Sequence, residues 1–352
     1  MKSIAYIEID THAEVAQDFI EIMQDSAEFN VDYYFSKRII DEIGHPEGNI
    51  FLSESSMILD QLKSKRYDLI VIGTVHRYFN TFLTIAEEYN TAIIVHNINF
   101  IQSSKWRLLK NIFKTDTVYR LKLWWKEGLF YSSKVYQKAK NLMVLDEELS
   151  SGRFKFLPLF YTRDYTKQDH KGFTIVIPGG VSQKRRDYQR VISVIKKLQN
   201  SPDIQKKPME FIFLGKAKNN ELKQLIDLER TLKYINITYF KERVSQADFS
   251  NWMQKADVLW CPIQEETEFF SQKEIYGKTK MTGNIGDAIK FGKMAVFPKN
   301  YQSKLGFIIS DQNDMIRLFE ELKNNQFDFQ KDYNKKTVKE KLETLLKSLI
   351  ST

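Results

Sequence analysis

The chain has 352 residues, of which 42% are hydrophobic and 28% are charged, with seven prolines and a formal net charge of +8. This length suits two domains of ordinary size, and the composition excludes a disordered or fibrous chain. The lone Cys261 excludes an intramolecular disulfide and a cysteine-based zinc cluster, and it is interpreted as a buried structural thiol. No apolar run reaches the ~20 residues that span a bilayer, so we expect a cytoplasmic protein.

In the first part of the chain, short apolar strands alternate with segments of helix length. Strands are predicted at 4–9, 31–35, 68–73, 92–97 and 142–145. Near-continuous apolar runs such as Leu69–Ile72 are typical of parallel strands that are covered on both faces. The pattern predicts a doubly wound α/β domain over residues 1–160.

The same pattern restarts after the charged, glycine-containing stretch 161–172, which is interpreted as a linker. The second domain is predicted over 173–330. Its strands are predicted at 174–177, 210–214, 237–240, 258–262, 294–297 and 307–309. The last segment, 331–352, is predicted to form a helix from about 337 to 349 that packs back on the first domain. We expect the two domains to face a central cleft, with ligands at the carboxyl ends of the strands.

One turn in the second half has the composition of a phosphate site. An apolar strand ends at Gly179 and Gly180, and the basic residues Lys184, Arg185 and Arg186 open the next helix. Glycines permit positive φ and close backbone approach, while helix-start amides and basic side chains attract anions. An ordinary strand-to-helix turn with solvated basic residues is the alternative.

Residues 173–310 resemble the two-domain glycosyltransferases of the GT-B fold, and within them the retaining family 4. The turn at 177–188 looks like the loop in which that family grips the donor diphosphate with a basic residue, which implies this role for Lys184 and Arg185. The resemblance also implies that the loop of Arg243 and Val244 contacts the nucleobase. It further implies a nucleotide-diphospho-sugar donor, such as a UDP-sugar, and retention of anomeric configuration. No Asp-x-Asp pair in a metal-binding context is present, so we expect no metal and no other cofactor.

The chain departs from that family's signature of two glutamates seven residues apart. Glu274 matches the first acid, which lies near the transferred sugar, and Asp287 matches the second, which binds the ribose, but thirteen positions separate them. A carboxylate accepts two hydrogen bonds from a vicinal diol. Asp287 could instead only complement the dipole of its helix.

The residues inserted between these acids offer another phosphate nest. Lys280, Thr282 and Gly283 supply an ammonium, a hydroxyl and a backbone amide ahead of a helix, and we predict that they contact the diphosphate. The alternative is an exposed loop that caps the helix through Thr282 or Asn284.

Among the five histidines, His96 ends a predicted strand at the edge where ligands bind. The resemblance implies that this position faces the transferred sugar, which makes His96 a candidate catalytic residue. A general base, a hydrogen bond to the sugar and a buried structural imidazole are all compatible with it. His12, which follows the first strand, is a weaker candidate of the same kind.

The segment 102–140 holds ten Lys or Arg residues and two acids, so its net charge of +8 equals that of the whole chain. Trp, Phe and Leu residues interleave with these charges, a pattern that suits an anionic membrane surface. The alternative is a pair of basic amphipathic helices packed on their own domain. No nucleic-acid-binding motif is visible, so we expect no nucleic-acid partner.

These observations favour a cytoplasmic glycosyltransferase that lies peripherally on the inner face of the cell membrane. It would transfer a sugar from a nucleotide-diphospho-sugar to a lipid-linked or cell-envelope glycan acceptor. The alternatives are a nucleotide-sugar epimerase of GT-B fold, which needs no membrane surface, and a non-catalytic membrane scaffold, which needs no donor.

Overall fold

The computed structural model describes residues 1–44, 47–164, 172–201 and 208–351. The chain divides into two compact units. Unit 1 comprises Met1–Phe160, Glu268–Met281 and Lys335–Thr352, and unit 2 comprises Tyr161–Thr267 and Thr282–Asn334. The segment 268–281 thus clusters with unit 1, although it lies within the range assigned above to the second domain. Most of the predicted linker, residues 165–171, falls outside the described residues.

Within the described residues, each unit is built on one parallel sheet. Unit 1 has the order β3-β2-β1-β4-β5-β6-β7, with strands β1 (Lys2–Glu8), β2 (Phe29–Phe35), β3 (Asn49–Leu52), β4 (Leu69–Ile72), β5 (Thr91–Ile94), β6 (Asn141–Val144) and β7 (Phe154–Phe156). Unit 2 has the order β10-β9-β8-β11-β14-β15, with strands β8 (Phe173–Pro178), β9 (Met209–Lys216), β10 (Ile235–Phe240), β11 (Val258–Trp260), β14 (Ala295–Phe297) and β15 (Ile308–Ser310). A separate two-stranded sheet pairs β12 (Glu266–Phe269) with β13 (Gln272–Ile275).

Helices connect the strands. They are α1 (Ala13–Met23), α2 (Lys37–Ile43), α3 (Ile58–Lys63), α4 (Phe79–Glu88), α5 (Ile98–Ile101), α6 (Lys105–Ile112), α7 (Thr117–Glu127), α8 (Ser132–Lys138), α9 (Tyr188–Gln199), α10 (Asn219–Glu229), α11 (Gln246–Lys255), α12 (Gly283–Phe291), α13 (Met315–Asn324), α14 (Phe329–Tyr333) and α15 (Lys335–Ile350). Within the described ranges, no helix combines the length and the apolar character that a membrane crossing requires.

The central strands are apolar because both faces of each sheet are covered. Every residue of β4, β5 and β8 is buried, which is the pattern of parallel strands between two helical layers. Cys261, directly after β11, is also fully buried, and burial raises the pKa of its thiol. The predicted fold class, two doubly wound α/β domains, is confirmed.

The sequence missed four short strands, for a physical reason. β3 is an edge strand with mostly exposed residues, and β7 has three residues, so neither shows a long apolar run. β12 alternates between exposed and half-buried positions, and the hairpin with β13 turns at Phe270 and Ser271, which both have positive φ. Such turns are normally marked by glycine or asparagine, which are absent here.

The C-terminal helix α15 packs within unit 1. Its buried face consists of Val338, Leu342, Leu346 and Leu349. On its rim, Ser26 donates a hydrogen bond to Glu343 at 2.7 Å, and Lys347 forms an ion pair with Glu28 at 2.7 Å. This helix therefore stabilises the outer layer of unit 1.

The close approach of β8 and β9 predicts a stability difference between two glycines. A Cβ added to Gly215 would lie within 2.7 Å of the Gly180 backbone nitrogen, whereas a Cβ added to Gly180 would meet no atom within 4 Å. We expect Gly215→Ala to lower the free energy of unfolding by about 1–3 kcal/mol because it forces the turn away from β9. Gly180→Ala, the matched control, should change it by less than about 0.5 kcal/mol. Urea denaturation followed by circular dichroism tests this, and equal stability of the two variants would contradict it.

Candidate functional site

In unit 2, the turn after β8 brings a guanidinium against a glycine. Gly179 has φ +100°, a conformation that residues with a side chain rarely adopt. A Cβ added to this glycine would clash with the guanidinium of Arg186. The backbone N–H of Asp187 donates to the Pro262 carbonyl oxygen at 2.7 Å and holds this turn beside the end of β11. Arg186 therefore sits at the carboxyl edge of the sheet.

The N-terminus of α12 meets the same guanidinium. Arg186 Nη2 donates to Asn284 Oδ1 at 3.2 Å, and Asn284 Nδ2 donates to the Pro178 carbonyl oxygen at 3.4 Å and to Asp287 Oδ2 at 3.2 Å. Arg186 Nε is buried and has no hydrogen-bond partner among the described residues. A charged donor beside a glycine turn and a helix N-terminus is an arrangement suited to phosphate oxygens.

The other site residues predicted for unit 2 differ in how far they are exposed to solvent. Lys184 and Arg185 are exposed, as is Arg243 in the loop after β10, while Val244 is half-buried. Asp287 is half-buried in the second turn of α12, on the side of Asn284.

Thr282 and Gly283 lie at the start of α12. Thr282 is its N-cap, and its Oγ1 accepts from the Asn284 N–H at 3.4 Å, so the capping geometry foreseen as an alternative is present. The Gly283 residue is exposed at the first position of the helix. The structure thus groups Gly179, Thr282 and Asp287 around Arg186 and Asn284, and Gly180 and Gly283 are the chain neighbours of Gly179 and Thr282.

Glu274 belongs to unit 1 and is fully buried. Its Oε1 accepts from the Phe100 N–H at 2.8 Å and its Oε2 from the Asn99 N–H at 3.2 Å. Burial raises the pKa of Glu274, and hydrogen bonds with Thr279 and these two amides partly offset that effect. Both oxygens are occupied by protein groups, which is the geometry of a residue that positions its neighbours.

Lys280 also belongs to unit 1, whereas Thr282 and Gly283 belong to unit 2. Lys280 Nζ donates to Asn97 Oδ1 at 2.5 Å and lies 5.8 Å from the centroid of the Phe269 ring. Its ammonium is therefore positioned at the end of β5, next to His96.

Three histidines converge at the carboxyl ends of β1, β4 and β5. The His12 and His96 rings stack with centroids 4.0 Å apart and planes 9° apart, and the His76 ring lies 5.7 Å from His96 and 6.0 Å from His12. His12 is the N-cap of α1 with φ 65°, a strained conformation for a residue with a side chain. The structure thus places the predicted His96 and the weaker candidate His12 in one cluster.

A fully buried carboxyl supports the strained loop of His12. Glu8 Oε1 accepts from the N–H groups of Asp10 and Thr11, both at 3.1 Å, and Glu8 Oε2 accepts from Thr74 Oγ1 at 2.6 Å. Burial raises the pKa of Glu8 to about 7, and these hydrogen bonds and the charge of His12 offset part of the effect. This acid therefore titrates near neutral pH.

Several of these residues were missed by sequence reasoning. Glu8 was visible as an acid inside an apolar strand, a signal of a buried carboxyl that has partners. His76 follows the end of β4 just as His96 follows β5, so the same argument would have found it. Asn284 was considered only as a cap, and nothing in the sequence separates Arg186 from its two basic neighbours.

The basic segment 102–140 forms helices α6, α7 and α8 in unit 1. Its outer side carries exposed aromatic and aliphatic residues next to exposed lysines and arginines; the most exposed are Trp125 at 87%, Val118 at 84%, Trp106 at 81% and Phe113 at 65%. We call this the aromatic–basic surface. Its buried side is formed by Leu108, Ile112, Leu123 and Leu129, which join the core. The segment thus packs on its own unit, as foreseen in the second alternative, and it also leaves large aromatic rings uncovered.

The buried Glu8 predicts a pH-dependent stability. Its folded pKa lies above the ordinary value of 4.5, so its contribution is fully present below pH 4.5 and is lost as pH rises through about 7. Relative to Glu8→Gln, the wild type should lose on the order of 3 kcal/mol between these limits. Denaturation of both proteins across this pH range measures the difference, in which the titrating groups that do not interact with Glu8 cancel. A difference that does not change with pH would refute the assignment.

No family model matches the sequence, and no curated protein matches it. Solved structures do. HepE from Anabaena, in complex with UDP, has a TM-score of 0.60 at 12% identity, covering 99% of this chain and all of that one. UDP-GlcNAc 2-epimerase from Neisseria meningitidis, bound to UDP-GlcNAc, has a TM-score of 0.54 at 11% identity, covering 99% and 100%. Sucrose-phosphate synthase from Thermosynechococcus elongatus has a TM-score of 0.55 at 10% identity, covering both chains fully. With two parallel α/β sheets and these neighbours, the chain has the GT-B fold predicted from its sequence.

Proposed function

We propose that the protein is a glycosyltransferase that moves a sugar from a nucleotide-diphospho-sugar to a lipid-linked or cell-envelope glycan acceptor. The observation that supports it best is the arrangement of Arg186 against the Gly179 turn, beside the N-terminus of α12. The neighbours solved with UDP and with UDP-GlcNAc support the class of ligand. Retention of anomeric configuration is implied by the family resemblance and belongs to the same proposal.

In this proposal the rate enhancement is mainly electrostatic. Negative charge develops on the diphosphate as the sugar leaves, and donors fixed in advance stabilise that charge without reorganising. Arg186 is suited to this task because Asn284 orients one nitrogen of its guanidinium beside the Gly179 turn. Lys184 and Arg185 are exposed, so they contribute as more distant charges.

Asp287 is proposed to bind the ribose. Its Oδ2 accepts from Asn284, which also contacts Arg186, and a carboxylate is the type of group that accepts hydrogen bonds from two vicinal hydroxyls. Arg243 and Val244 are proposed to contact the nucleobase, as the resemblance implies. No metal takes part in this scheme, because the guanidinium and the amides supply the positive charge.

An epimerase is the second candidate, because the structure of a UDP-GlcNAc 2-epimerase has the same fold, with a TM-score close to that of HepE. The two activities differ in what they require. An epimerase converts the nucleotide sugar without an acceptor, whereas a transferase releases nucleoside diphosphate when an acceptor is present.

The nucleotide site is tested by calorimetric titration with UDP, GDP and CDP. We expect one of them to bind, and Arg186→Gln to weaken that binding by about tenfold or more, because a charge-assisted hydrogen bond is worth about 1.5–3 kcal/mol. The matched control is Arg185→Gln, which removes an exposed guanidinium and should weaken binding less. If no nucleoside diphosphate binds the wild type, the transferase and the epimerase are both excluded and the scaffold is left.

The aromatic–basic surface supports the acceptor side of the proposal. Exposed Trp rings insert at the headgroup level of a bilayer, and each nearby Lys or Arg adds about 1 kcal/mol of attraction to anionic lipid. The proposal therefore includes a location on the inner face of the cell membrane, where a lipid-linked acceptor would be found.

Cosedimentation with vesicles tests the membrane role. Phosphatidylcholine vesicles that contain phosphatidylglycerol should bind the protein, and added salt should weaken the binding. The double variant Trp106→Ala, Trp125→Ala should bind roughly tenfold more weakly, because it removes two inserted apolar side chains. Tyr234→Ala removes an exposed aromatic ring from unit 2 and is the control. Equal binding of the double variant and this control would rule out insertion through α6 and α7.

A further inference from the structure

The three histidines of unit 1 form one polar cluster together with Asn97 and Lys280. His12, His76 and His96 lie within 4.0–6.0 Å of one another, measured between ring centroids. Lys280 donates to Asn97 Oδ1, and this bond fixes which way the Asn97 amide points. The cluster is thus held by a defined set of hydrogen bonds within unit 1.

These bonds also fix the protons on the rings. Asn97 Nδ2 lies 3.2 Å from His76 Nε2, so the amide donates and the His76 proton resides on Nδ1. His96 Nε2 donates to the Gly73 carbonyl oxygen at 2.9 Å, and His12 Nδ1 donates to Glu14 at 2.9 Å. Each ring therefore keeps one nitrogen without a protein hydrogen-bond partner among the described residues.

The charges around the cluster favour an anion. Burial lowers the pKa values of His76 and His96 well below the ordinary value, and the positive charges of His12 and Lys280 lower them further. Burial lowers the pKa of His12 too, but Glu14 and Glu8 outweigh it, so the net change is upward. An anion placed among these groups would offset the repulsion between them.

The nearby acids already have partners. Glu14 accepts from His12, Glu8 accepts from two backbone amides and Thr74, and Glu274 accepts from two backbone amides. Asp10 lies in the field of Arg77, although burial raises its pKa. The charges of Glu8, Glu14 and Lys280 act on the histidines, the charge of His12 acts on Asp10, and the charge of Lys280 acts on Glu274.

We propose that His12, His76, His96, Asn97 and Lys280 form a binding site for a phosphoryl group. The ring centroids of the three histidines lie 4.0–6.0 Å apart. Imidazole, amide and ammonium nitrogens at such a spacing can contact different oxygens of one tetrahedral anion. That the phosphoryl group belongs to the acceptor rests on the proposed function. Position supports it, since the loop that follows His76 is bonded to the last residue of α7: Arg77 Nε donates to Glu127 at 3.0 Å. The site therefore adjoins the helices of the aromatic–basic surface.

Binding of an anion should be coupled to proton uptake. An anion favours the protonated imidazoles, so the pKa values of His76 and His96 should rise when it binds. Protons are then taken up on binding, and the affinity falls as pH rises, by about tenfold per pH unit where one proton is taken up.

Inorganic sulfate is the probe, because it does not titrate near neutral pH. The Cε1–H signals of the five histidines can be followed by NMR as a function of pH, with assignment from His76→Gln and His96→Gln. We expect sulfate to raise the pKa of His76 and His96 on the order of one pH unit. The measurement uses Arg186→Gln, so that sulfate does not report on the turn in unit 2. Unchanged pKa values at saturating sulfate would overturn the proposal, and this outcome does not depend on how the histidine variants fold.

Lys280→Gln gives the second readout, since it removes the permanent charge and leaves the three rings. Sulfate should bind it at least about tenfold more weakly, as expected when a charge-assisted contact is lost. Unchanged affinity would overturn the role of Lys280.

Hexyl sulfate distinguishes the two sources of a phosphoryl group. Tighter binding of hexyl sulfate than of sulfate supports a lipid-linked phosphate, whereas equal binding supports a free phosphate or sugar phosphate and overturns the lipid-linked acceptor. If no nucleoside diphosphate binds unit 2 but sulfate still shifts the histidines, the anion site stands and only its assignment to an acceptor falls.

Discussion

Parallel strand pairing is the constraint on which the rest of the structure depends. It brings the carboxyl ends of all strands in a sheet to one edge, so the loops that follow neighbouring strands must meet there. In unit 1 this brings together His12, His76 and His96, which are far apart in sequence and follow β1, β4 and β5. In unit 2 it brings together the turn after β8 and the end of β11. Side chains from distant positions in the sequence converge at these edges, which is where ligands generally bind in open α/β sheets.

The convergence of loops at a buried sheet edge brings polar groups and backbone atoms close together, and the two units accommodate them differently. Unit 1 buries the Glu8 carboxyl so that it can hold the strained His12 loop, and satisfies it with two backbone amides and a hydroxyl. Unit 2 omits side chains at Gly179 and Gly215, so that the backbone approaches closely and leaves room for the Arg186 guanidinium. A buried carboxyl with several hydrogen bonds and a glycine that permits close approach are both typical of functional sites. At such sites, geometry is kept at the expense of stability.

The sequence predicted the fold well because the central strands carry continuous apolar runs. Leu69–Ile72 in β4 and all residues of β8 are buried. A strand that is buried on both faces needs consecutive apolar residues, and such a run can be recognised in the sequence. The edge strands β3 and β7 are short or largely exposed and have no long apolar run, so they were not predicted.

The candidate site was less accessible to sequence reasoning. Three consecutive basic residues, 184–186, are equivalent in sequence, and only the path of the turn directs Arg186 inward. The segment 268–281 read as part of the second domain, yet Glu274 and Lys280 make their hydrogen bonds within unit 1, with residues 97–100. Which unit a segment packs on depends on long-range contacts that periodicity does not encode.

The helices of the aromatic–basic surface connect its exposed rings to the histidine cluster by hydrogen bonds on their inner side. Glu127, the last residue of α7, accepts from Arg77 Nε and from Arg77 Nη2, at 3.0 and 2.6 Å, and from the Tyr78 N–H at 3.3 Å. From the same inner side, Arg120 donates to Ser271 Oγ at 2.9 Å, within the segment that also contains Lys280.

Breaking a largely buried ion pair such as Arg77–Glu127 leaves an uncompensated charge and costs several kcal/mol. Helix α7 therefore cannot tilt without moving the loop of His76 or losing that pair. Contact of the exposed tryptophans with a bilayer would thus act on the same backbone that positions the imidazoles. The ion pair that holds the end of α7 therefore also holds the loop that follows His76.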